Sequence, residues 1–275
     1  MAGMLYVVGT PIGNLGDLTD RQKQVLAEVD FIAAEDTRVS VKLLNHLGIK
    51  KPMVNYYEHN LRERGQMIAD RILSGENCAV VSDAGMPCIS DPGEDLVRLC
   101  AAQGIAVTAV PGPSAAITAL CLSGLSTSRF RFEGFLSTNK RSRAEHLESV
   151  RSDGSTLIFY EAPHKLLNTL QDMLRVLGDR RVSIARELTK LHEEVLRVTL
   201  SEAVEHFTQN PPRGEFVLVV EGAQEQPAEE WTLGQAAALA QTFVEEGMKP
   251  SEAAKEAAKQ SGYRKSEIYS RMMEE

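Results

Sequence analysis

Four short segments combine glycine or proline with aspartate or small hydroxyl residues, a composition that allows a polar ligand to approach the backbone closely. They occupy residues 9–14, 35–38, 82–93 and 111–116. Each follows a run of apolar and β-branched residues that predicts a strand. In an open α/β sheet, ligands bind outside the carboxyl ends of the strands, so the four segments together predict the rim of one binding site. Taken singly, each segment is more simply interpreted as a turn.

The spacing of residues in these loops argues against several common site types. None of the four segments matches the dinucleotide pattern G-x-G-x-x-G or the phosphate-binding pattern G-x-x-x-x-G-K-[ST], so oxidoreductase and NTPase functions lose their main sequence support. The four cysteines contain no C-x-x-C pair and stand apart from any histidine cluster. We therefore expect no metal site, and we interpret the cysteines as buried thiols of a protein in a reducing compartment.

The elements that must position these loops follow an alternating pattern. Short β-branched runs alternate with amphipathic helical stretches, which is typical of α/β proteins. Thr19 to Gln22 form a capping box that predicts the start of a helix. Two later strand candidates, at residues 182–185 and 195–199, have no helix between them, which indicates a mixed sheet. We predict an α/β fold with one α/β domain at residues 1–125, a second at 126–223 and a small helix-turn-helix-like helical domain at 228–275.

The C-terminal stretch differs in composition from the rest of the chain. Residues 224–230 are polar and contain Pro227, so we interpret them as a linker, and the Ala-rich residues beyond them predict three helices. The spacing of Ala258, Gly262 and Ile268 resembles the helix-turn-helix pattern. The segment from Lys249 to Arg271 contains six basic residues and three acidic ones. This balance suits a phosphate-contacting module, and for the tail taken alone a helical cap or dimerisation element with a solvated charged face explains it equally well.

The bulk charge and hydropathy limit the function classes further. The 275 residues carry a formal net charge of -8, which argues against indiscriminate nucleic-acid binding, because affinity for phosphates comes mainly from Lys and Arg. No stretch approaches the roughly 18 consecutive apolar residues of a membrane span. The apolar N-terminal run is too short for a signal peptide. We expect a cytoplasmic protein without membrane contact.

Eight segments identify a more specific resemblance. In chain order they are VGTPIGNLGD, AEDTR, VSDAGMPCISDPG, VPGPSAAITAL, FEGFL, FYEAPHKL, ARELTK and GEFVLVVEG, between Leu5 and Gly222. Together they closely resemble the bacterial small-subunit ribosomal RNA methyltransferase I family, in the tetrapyrrole (corrin/porphyrin) methylase superfamily. The resemblance implies a class III methyltransferase fold, a homodimer, no metal, and S-adenosylmethionine in the cleft between two α/β domains. The implied product is a 2′-O-methylated cytidine in the decoding region of 16S rRNA, in the small ribosomal subunit.

The resemblance also implies cofactor-binding residues, carried over where the local motif matches. They are Pro11, Ser82, Asp83, Ala84, Gly85, Ile89, Ser114, Ala115, Ala116, Tyr160, Glu161, Gly214, Glu215 and Phe216. Small-molecule members of the superfamily carry a G-D-P-type signature where this chain has residues 84–87, a departure that favours the RNA-modifying branch. The alternatives are a methyltransferase for a tetrapyrrole or a diphthine precursor, and a non-catalytic nucleic-acid-binding protein.

The group that accepts the proton of the ribose hydroxyl is not determined by the sequence. A positioned base is expected, because a hydroxyl is a poor nucleophile until its proton is removed or shared. The candidates are Glu35, Asp36, His59, Glu161, His164, Glu187 and Lys190. His59 is more simply a solvated or turn-stabilising histidine, and Asp36 with Arg38 an ion pair that orders a loop. We predict that Asp36, Arg38, Glu187 and Lys190 line the acceptor side.

Overall fold

The computed structural model describes residues 2–57, 61–224 and 231–273, in two compact units, Met1–Ala223 and Gln224–Glu275. His59 and the predicted linker residues 225–230 lie outside the described residues. The first unit contains two five-stranded sheets, and the second is helical. The α/β fold with a helical C-terminal region is therefore confirmed. Within the described ranges, no helix has the length and apolar character needed to cross a membrane.

The first sheet is entirely parallel, in the order β3-β2-β4-β1-β5. Its strands are β1 (Met4–Val8), β2 (Phe31–Ala34), β3 (Met53–Asn55), β4 (Cys78–Val81) and β5 (Ala106–Val110). The inner strands β2 and β4 are buried along their whole length, because helices cover both faces of the sheet. The edge strand β3 was not predicted from the sequence, because three residues are too few to show the alternation of apolar and polar residues that marks a strand.

A helix follows each of these strands. These helices are α1 (Asp20–Glu28), α2 (Thr37–His46), α3 (Leu61–Leu73), α4 (Glu94–Ala102) and α5 (Ala115–Ser123). The predicted capping box is present at α1: the Thr19 hydroxyl accepts a hydrogen bond from the backbone N–H of Gln22, and the Gln22 side chain accepts one from the N–H of Thr19. Both bonds satisfy backbone donors that the first turn of a helix leaves free.

The second sheet has the order β6-β7-β10-β8-β9 and mixes both strand directions, as predicted. Its strands are β6 (Phe130–Phe135), β7 (Thr156–Glu161), β8 (Arg181–Arg186), β9 (Glu194–Thr199) and β10 (Phe216–Val220), and its helices are α6 (Lys140–Ser149), α7 (Pro163–Leu177) and α8 (Leu200–Gln209). Strands β6 and β7 are parallel, whereas β10 lies antiparallel between β7 and β8. The all-apolar β10 is buried throughout, as its central place requires.

Helix α5 precedes the predicted boundary at residue 125, yet it packs on the second sheet. Its small residues Ala116 and Ala119 lie in one apolar cluster with Ile158 of β7, Ala185 of β8 and Val217 of β10. Small side chains let the helix approach the sheet closely. The core of the second sheet therefore includes a helix from the first 125 residues.

The C-terminal unit consists of α9 (Leu233–Glu245), α10 (Pro250–Ser261) and α11 (Lys265–Met273) around a core of alanines. Gly262 ends α10 with φ +75°, a left-handed conformation that glycine adopts without strain. Ile268 of α11 is fully buried and Ala258 is partly buried in the same cluster. The three predicted helices are thus present, and these residues occupy the turn and packing positions of the pattern.

Candidate functional site

A cleft of about 450 Å³ in the first unit is lined by residues that follow strands of both sheets. Ile12, Glu35, Asp83 and Ser114 come from the loops after β1, β2, β4 and β5. The opposite wall is formed around the ends of β6, β7, β8 and the start of β10. The four loops predicted to form one rim therefore meet at one cleft, whose size is in the range of small-molecule sites.

Most of the cofactor-binding residues implied by the resemblance line this cleft. They are Asp83, Ala84, Gly85, Ile89, Ser114, Ala115, Tyr160, Glu161, Glu215 and Phe216. Pro11 and Ser82 line a neighbouring cavity that shares Asp83. Ala116 donates its backbone N–H to the Tyr160 hydroxyl, at 3.3 Å. Gly214 has a φ of +88° and lies against the Glu187 side chain. A Cβ added to Gly214 would lie only 2.7 Å from Glu187 Cγ.

The loops after β1, β4 and β5 are held together by backbone contact. Thr10 and Gly85 exchange two backbone hydrogen bonds, of 2.8 and 3.1 Å. Gly9 faces Gly112 so closely that a Cβ on Gly9 would lie 2.7 Å from the Gly112 Cα. The Gln22 amide, which also caps α1, donates to the Gly9 carbonyl at 2.8 Å. Glycine is needed at both positions because real Cβ atoms do not approach a backbone this closely.

Three carboxyl groups with raised pKa values line the first-sheet side of the cleft. Burial raises the pKa of Asp91 to about 6, the charge of Glu35 adds to the effect, and a hydrogen bond from Ser82 opposes it. Burial is also the main cause of the raised pKa values of Glu35 and Asp83. Buried carboxylates are poorly stabilised without a nearby positive charge, so this wall of the cleft suits a positively charged ligand.

Replacing Asp91 with asparagine is expected to stabilise the ligand-free protein at neutral pH. The folded state raises this pKa above the unfolded value, so the ionised carboxylate disfavours folding, and the loss of stability grows as pH rises through the interval from about 4 to 6. Because Asp91 is partly solvated, we expect a gain of about 1 kcal/mol, or about 2–4 °C in Tm, at pH 7.5. Thermal melts should show this gain shrinking towards pH 4, with Asp17→Asn on the exposed surface as control. A lower or unchanged Tm at pH 7.5 would count against the raised pKa.

On the opposite wall, Glu187, Lys190 and Glu215 form one charged network. The Lys190 ammonium lies 3.0 Å from Glu187 Oε1 and 2.8 Å from Glu215 Oε2. Burial lowers the pKa of Lys190, but hydrogen bonds to Glu215 and Glu187 outweigh it and leave the pKa raised. The Lys190 hydrogen bond is in turn the main cause of the lowered pKa of Glu187. At neutral pH the cleft therefore presents a fixed ammonium beside two carboxylates.

The backbone that carries this network is strained. Glu187 and Thr189 have φ values of +50° and +66°, which non-glycine residues rarely adopt. Such conformations cost of order 1–3 kcal/mol each and are found preferentially at functional sites. The turn also brings the stem of Lys190 against the first loop, where a Cβ on Gly13 would lie 2.5 Å from Lys190 Cγ. The strained turn thus brings Lys190 to the loop after β1.

Asp36 and Arg38, the other two residues predicted for the acceptor side, do not line the cleft. The Asp36 carboxylate accepts the backbone N–H of Arg38 at the start of α2 and pairs with its guanidinium, at 2.6 Å. The Arg38 side-chain hydrogen bond is the main cause of the lowered pKa of Asp36. The Arg38 side chain is 89% exposed. Their acceptor-side role stays a prediction.

Two other base candidates have clear structural surroundings. Glu161 accepts hydrogen bonds from the Thr169 hydroxyl and the Ala162 N–H, and pairs with Lys165. These contacts connect Glu161 to the N-cap and the first two turns of α7. His164 is exposed in the first turn of the same helix. Among the described residues, no group of His, Cys, Asp or Glu is arranged to hold a metal ion.

Asp91 and Phe135 are among the cleft residues that were not assigned a role from the sequence. Asp91 was included only as part of the loop after β4, because its pKa depends on burial and on the distant Glu35. Phe135 lies in the FEGFL segment, ends β6 and remains 55% exposed at the cleft. The only sequence signal for it is the spacing of two phenylalanines around Gly134.

Comparison with known proteins gives consistent matches. The family model "Tetrapyrrole (Corrin/Porphyrin) Methylases" matches residues 4–204. The chain is 48% identical to "Ribosomal RNA small subunit methyltransferase I" of Halalkalibacterium halodurans, over 97% of this chain and 93% of that protein. The protein of the same name from Thermotoga maritima is also 48% identical, over 81% of this chain and 100% of its own length. A solved diphthine synthase has a similar fold, with a TM-score of 0.63 at 15% identity, over 80% of this chain and 89% of that one.

Proposed function

Since the chain belongs to the tetrapyrrole (corrin/porphyrin) methylase family, and within it to the ribosomal RNA small subunit methyltransferase I group, we propose that it methylates the 2′-hydroxyl of a cytidine ribose in 16S rRNA. The protein is a methyltransferase whose cofactor is S-adenosylmethionine. We place the acceptor nucleotide in the decoding region of the small ribosomal subunit. The observation that supports the acceptor chemistry best is the Lys190 ammonium across the cleft from the acidic wall.

The cleft residues fit this cofactor. Glu35, Asp83 and Asp91 offer carboxylates to a cationic molecule, and the interlocked glycine loops allow close backbone approach. When bound, the cofactor supplies a methyl group already activated on a sulfonium, so the protein mainly has to align the acceptor. We infer that Lys190 stabilises the negative charge that builds up on the ribose oxygen as its proton passes to solvent water. Glu187 and Glu215 hold the ammonium in place.

The test is methyl transfer from radiolabelled S-adenosylmethionine to small ribosomal subunits from a strain that lacks this gene. Nucleoside analysis of the labelled RNA is expected to give 2′-O-methylcytidine. Label on a different nucleoside would contradict the proposed acceptor. No transfer to RNA with cofactor binding intact would contradict the substrate class, and methylation of a porphyrinoid would then support a small-molecule methyltransferase.

The C-terminal unit is proposed to add affinity for the ribosomal substrate. Basic residues of α10 and α11 are exposed on its surface, and Lys255, for example, is not part of its alanine core. The Thermotoga maritima relative matches over its full length and leaves about a fifth of this chain unmatched, a share equal in size to this unit. We therefore expect the α/β unit to be the catalytic part and the C-terminal unit to be an addition to it.

A chain truncated after Ala223 is expected to bind S-adenosylmethionine as the full chain does and to have roughly tenfold or more weaker affinity for small subunits. The reason is the loss of phosphate contacts, which also predicts a smaller dependence of affinity on salt concentration. Calorimetry with the cofactor and filter binding with subunits at two salt concentrations would measure both effects. Unchanged subunit affinity would contradict the proposed role of the unit.

A homodimer is proposed from the outer face of α5. This helix is apolar on all sides, and its inner face packs on the second sheet. Ile117 and Leu122 on the outer face are 44% and 37% exposed. Cys121 beside them is exposed as well, so the interpretation of the cysteines as buried thiols is wrong for Cys121. A helix that is apolar all round is normally buried on all sides. We propose that a second copy of this chain covers the outer face of α5. A monomeric mass in light scattering would contradict the proposal.

A further inference from the structure

An irregularity in the second sheet sets the direction of the side chain of Phe135, the last residue of β6. Between β6 and β7, Phe132 pairs with Ile158, and Phe135 pairs with Tyr160. The chain thus advances three residues on β6 for two on β7, with a register shift between Phe132 and Gly134. Gly134 has φ +65°, which permits this bulge. Side chains alternate between the faces of a strand, so residues three apart normally face opposite sides.

The bulge places both phenylalanines on the face that carries Tyr160. The Phe132 ring lies edge-on to the Tyr160 ring, with centroids 5.0 Å apart, and the Phe135 ring lies 5.4 Å from Tyr160 on a tilted plane. The Lys165 ammonium is 5.6 Å from the centroid of the Phe135 ring, within the range of a cation–π contact. Three aromatic rings thus lie together, and the last is fixed in place at the cleft.

Phe135 is more exposed than this packing requires. It is 55% exposed, whereas Tyr160 is only partly exposed and hydrogen-bonded through its hydroxyl to Ala116. The strand is bent so that an aromatic ring, instead of facing α6, faces an open cleft. Bulges commonly redirect a side chain next to an active site. An aromatic ring displayed in this way is suited to stack on a planar ligand.

We propose that Phe135 stacks on the pyrimidine base of the acceptor nucleotide and so sets which ribose reaches the cleft. This inference rests on the proposed function. The acceptor base is favoured over the cofactor because Phe135 is not among the residues of the second-sheet wall that the resemblance assigns to the cofactor (Tyr160, Glu161, Glu215 and Phe216), and its ring is left 55% exposed. RNA bases outside a helix are commonly recognised by stacking on aromatic side chains.

The test compares ring-retaining with ring-removing substitutions. Phe135→Leu and Phe135→Met are expected to lower kcat/KM for small subunits about tenfold or more, mainly through KM, because a base–aromatic stack is lost. Phe135→Trp should retain activity near that of the wild type. The matched control is Phe130→Leu, an aromatic of similar exposure (44%) at the other end of β6, roughly 16 Å away along the strand. Calorimetry gives the affinity for S-adenosylmethionine, and thermal melts report folding.

The outcomes separate this inference from the proposed function. Activity of Phe135→Leu and Phe135→Met equal to that of the wild type overturns the inference. A loss of S-adenosylmethionine affinity that accounts for the loss of activity also overturns it, since the ring would then serve the cofactor. Absence of rRNA methylation by the wild type is instead a failure of the proposed function. Low activity of both ring-removing variants, with cofactor affinity intact and activity preserved in Phe135→Trp, supports it.

Discussion

Replacing Lys190 with methionine is expected to lower kcat for methyl transfer to small ribosomal subunits by roughly 10²-fold, the usual cost of removing one fixed donor that stabilises charge in a transition state. The ammonium is held between Glu187 and Glu215, at 3.0 and 2.8 Å, and keeps its proton at neutral pH. Methionine preserves the apolar stem that packs against Gly13 but removes the charge. Single-turnover rates and calorimetry with S-adenosylmethionine would separate loss of chemistry from loss of cofactor binding.

The control is Lys23→Met, because Lys23 also pairs with a carboxylate, that of Asp20, at 3.2 Å, but on the exposed surface of α1. It should leave kcat unchanged. Glu187→Gln should have a smaller effect, of about tenfold, since an amide can still accept the backbone N–H of Glu215 but no longer stabilises the ammonium by charge. Full kcat in Lys190→Met, or a loss explained by weaker cofactor binding, would remove Lys190 from the proposed mechanism.

Replacing Gly9 with alanine is expected to destabilise the α/β unit by about 2 kcal/mol or more and to weaken S-adenosylmethionine binding at the same time. The added Cβ would lie 2.7 Å from the Gly112 Cα and 2.8 Å from the Met86 sulfur. The Gly112 backbone cannot yield without moving the loop after β5, so two of the cleft loops would separate. We expect Tm to fall by about 4–8 °C and cofactor affinity to fall with it.

Gly65→Ala is the matched control for this variant. Gly65 lies within α3, and its added Cβ would be 3.6 Å from the nearest atom, Leu99 Cδ2, an ordinary contact distance. Alanine favours a helix over glycine by up to about 1 kcal/mol, so Tm should rise or stay the same. Equal Tm values for Gly9→Ala and wild type, with cofactor affinity retained, would show that the two loops are not held together as the structure describes.

The sequence by itself determined most of the helices and strands, the three-residue β3 being an exception, because these elements depend on neighbours along the chain. The capping box at Thr19, the apolar run of β10 and the turn at Gly262 are local patterns with local causes. The four cleft loops were also predictable, since the carboxyl ends of parallel strands lie at one edge of a sheet. The eight ordered segments identified the family before any contact was known.

What only the tertiary structure decided depends on pairs of residues that are distant in sequence. The direction of Phe135 follows from the β6–β7 register, and Lys190 meets Glu215 because β8 pairs with β10. Helix α5 shows no apolar period that would reveal its packing on the second sheet, because it is apolar on every side. The raised pKa of Asp91 likewise reflects burial and the charge of Glu35, across two strands. Register, burial and distant charge are properties of the folded chain, and no local pattern encodes them.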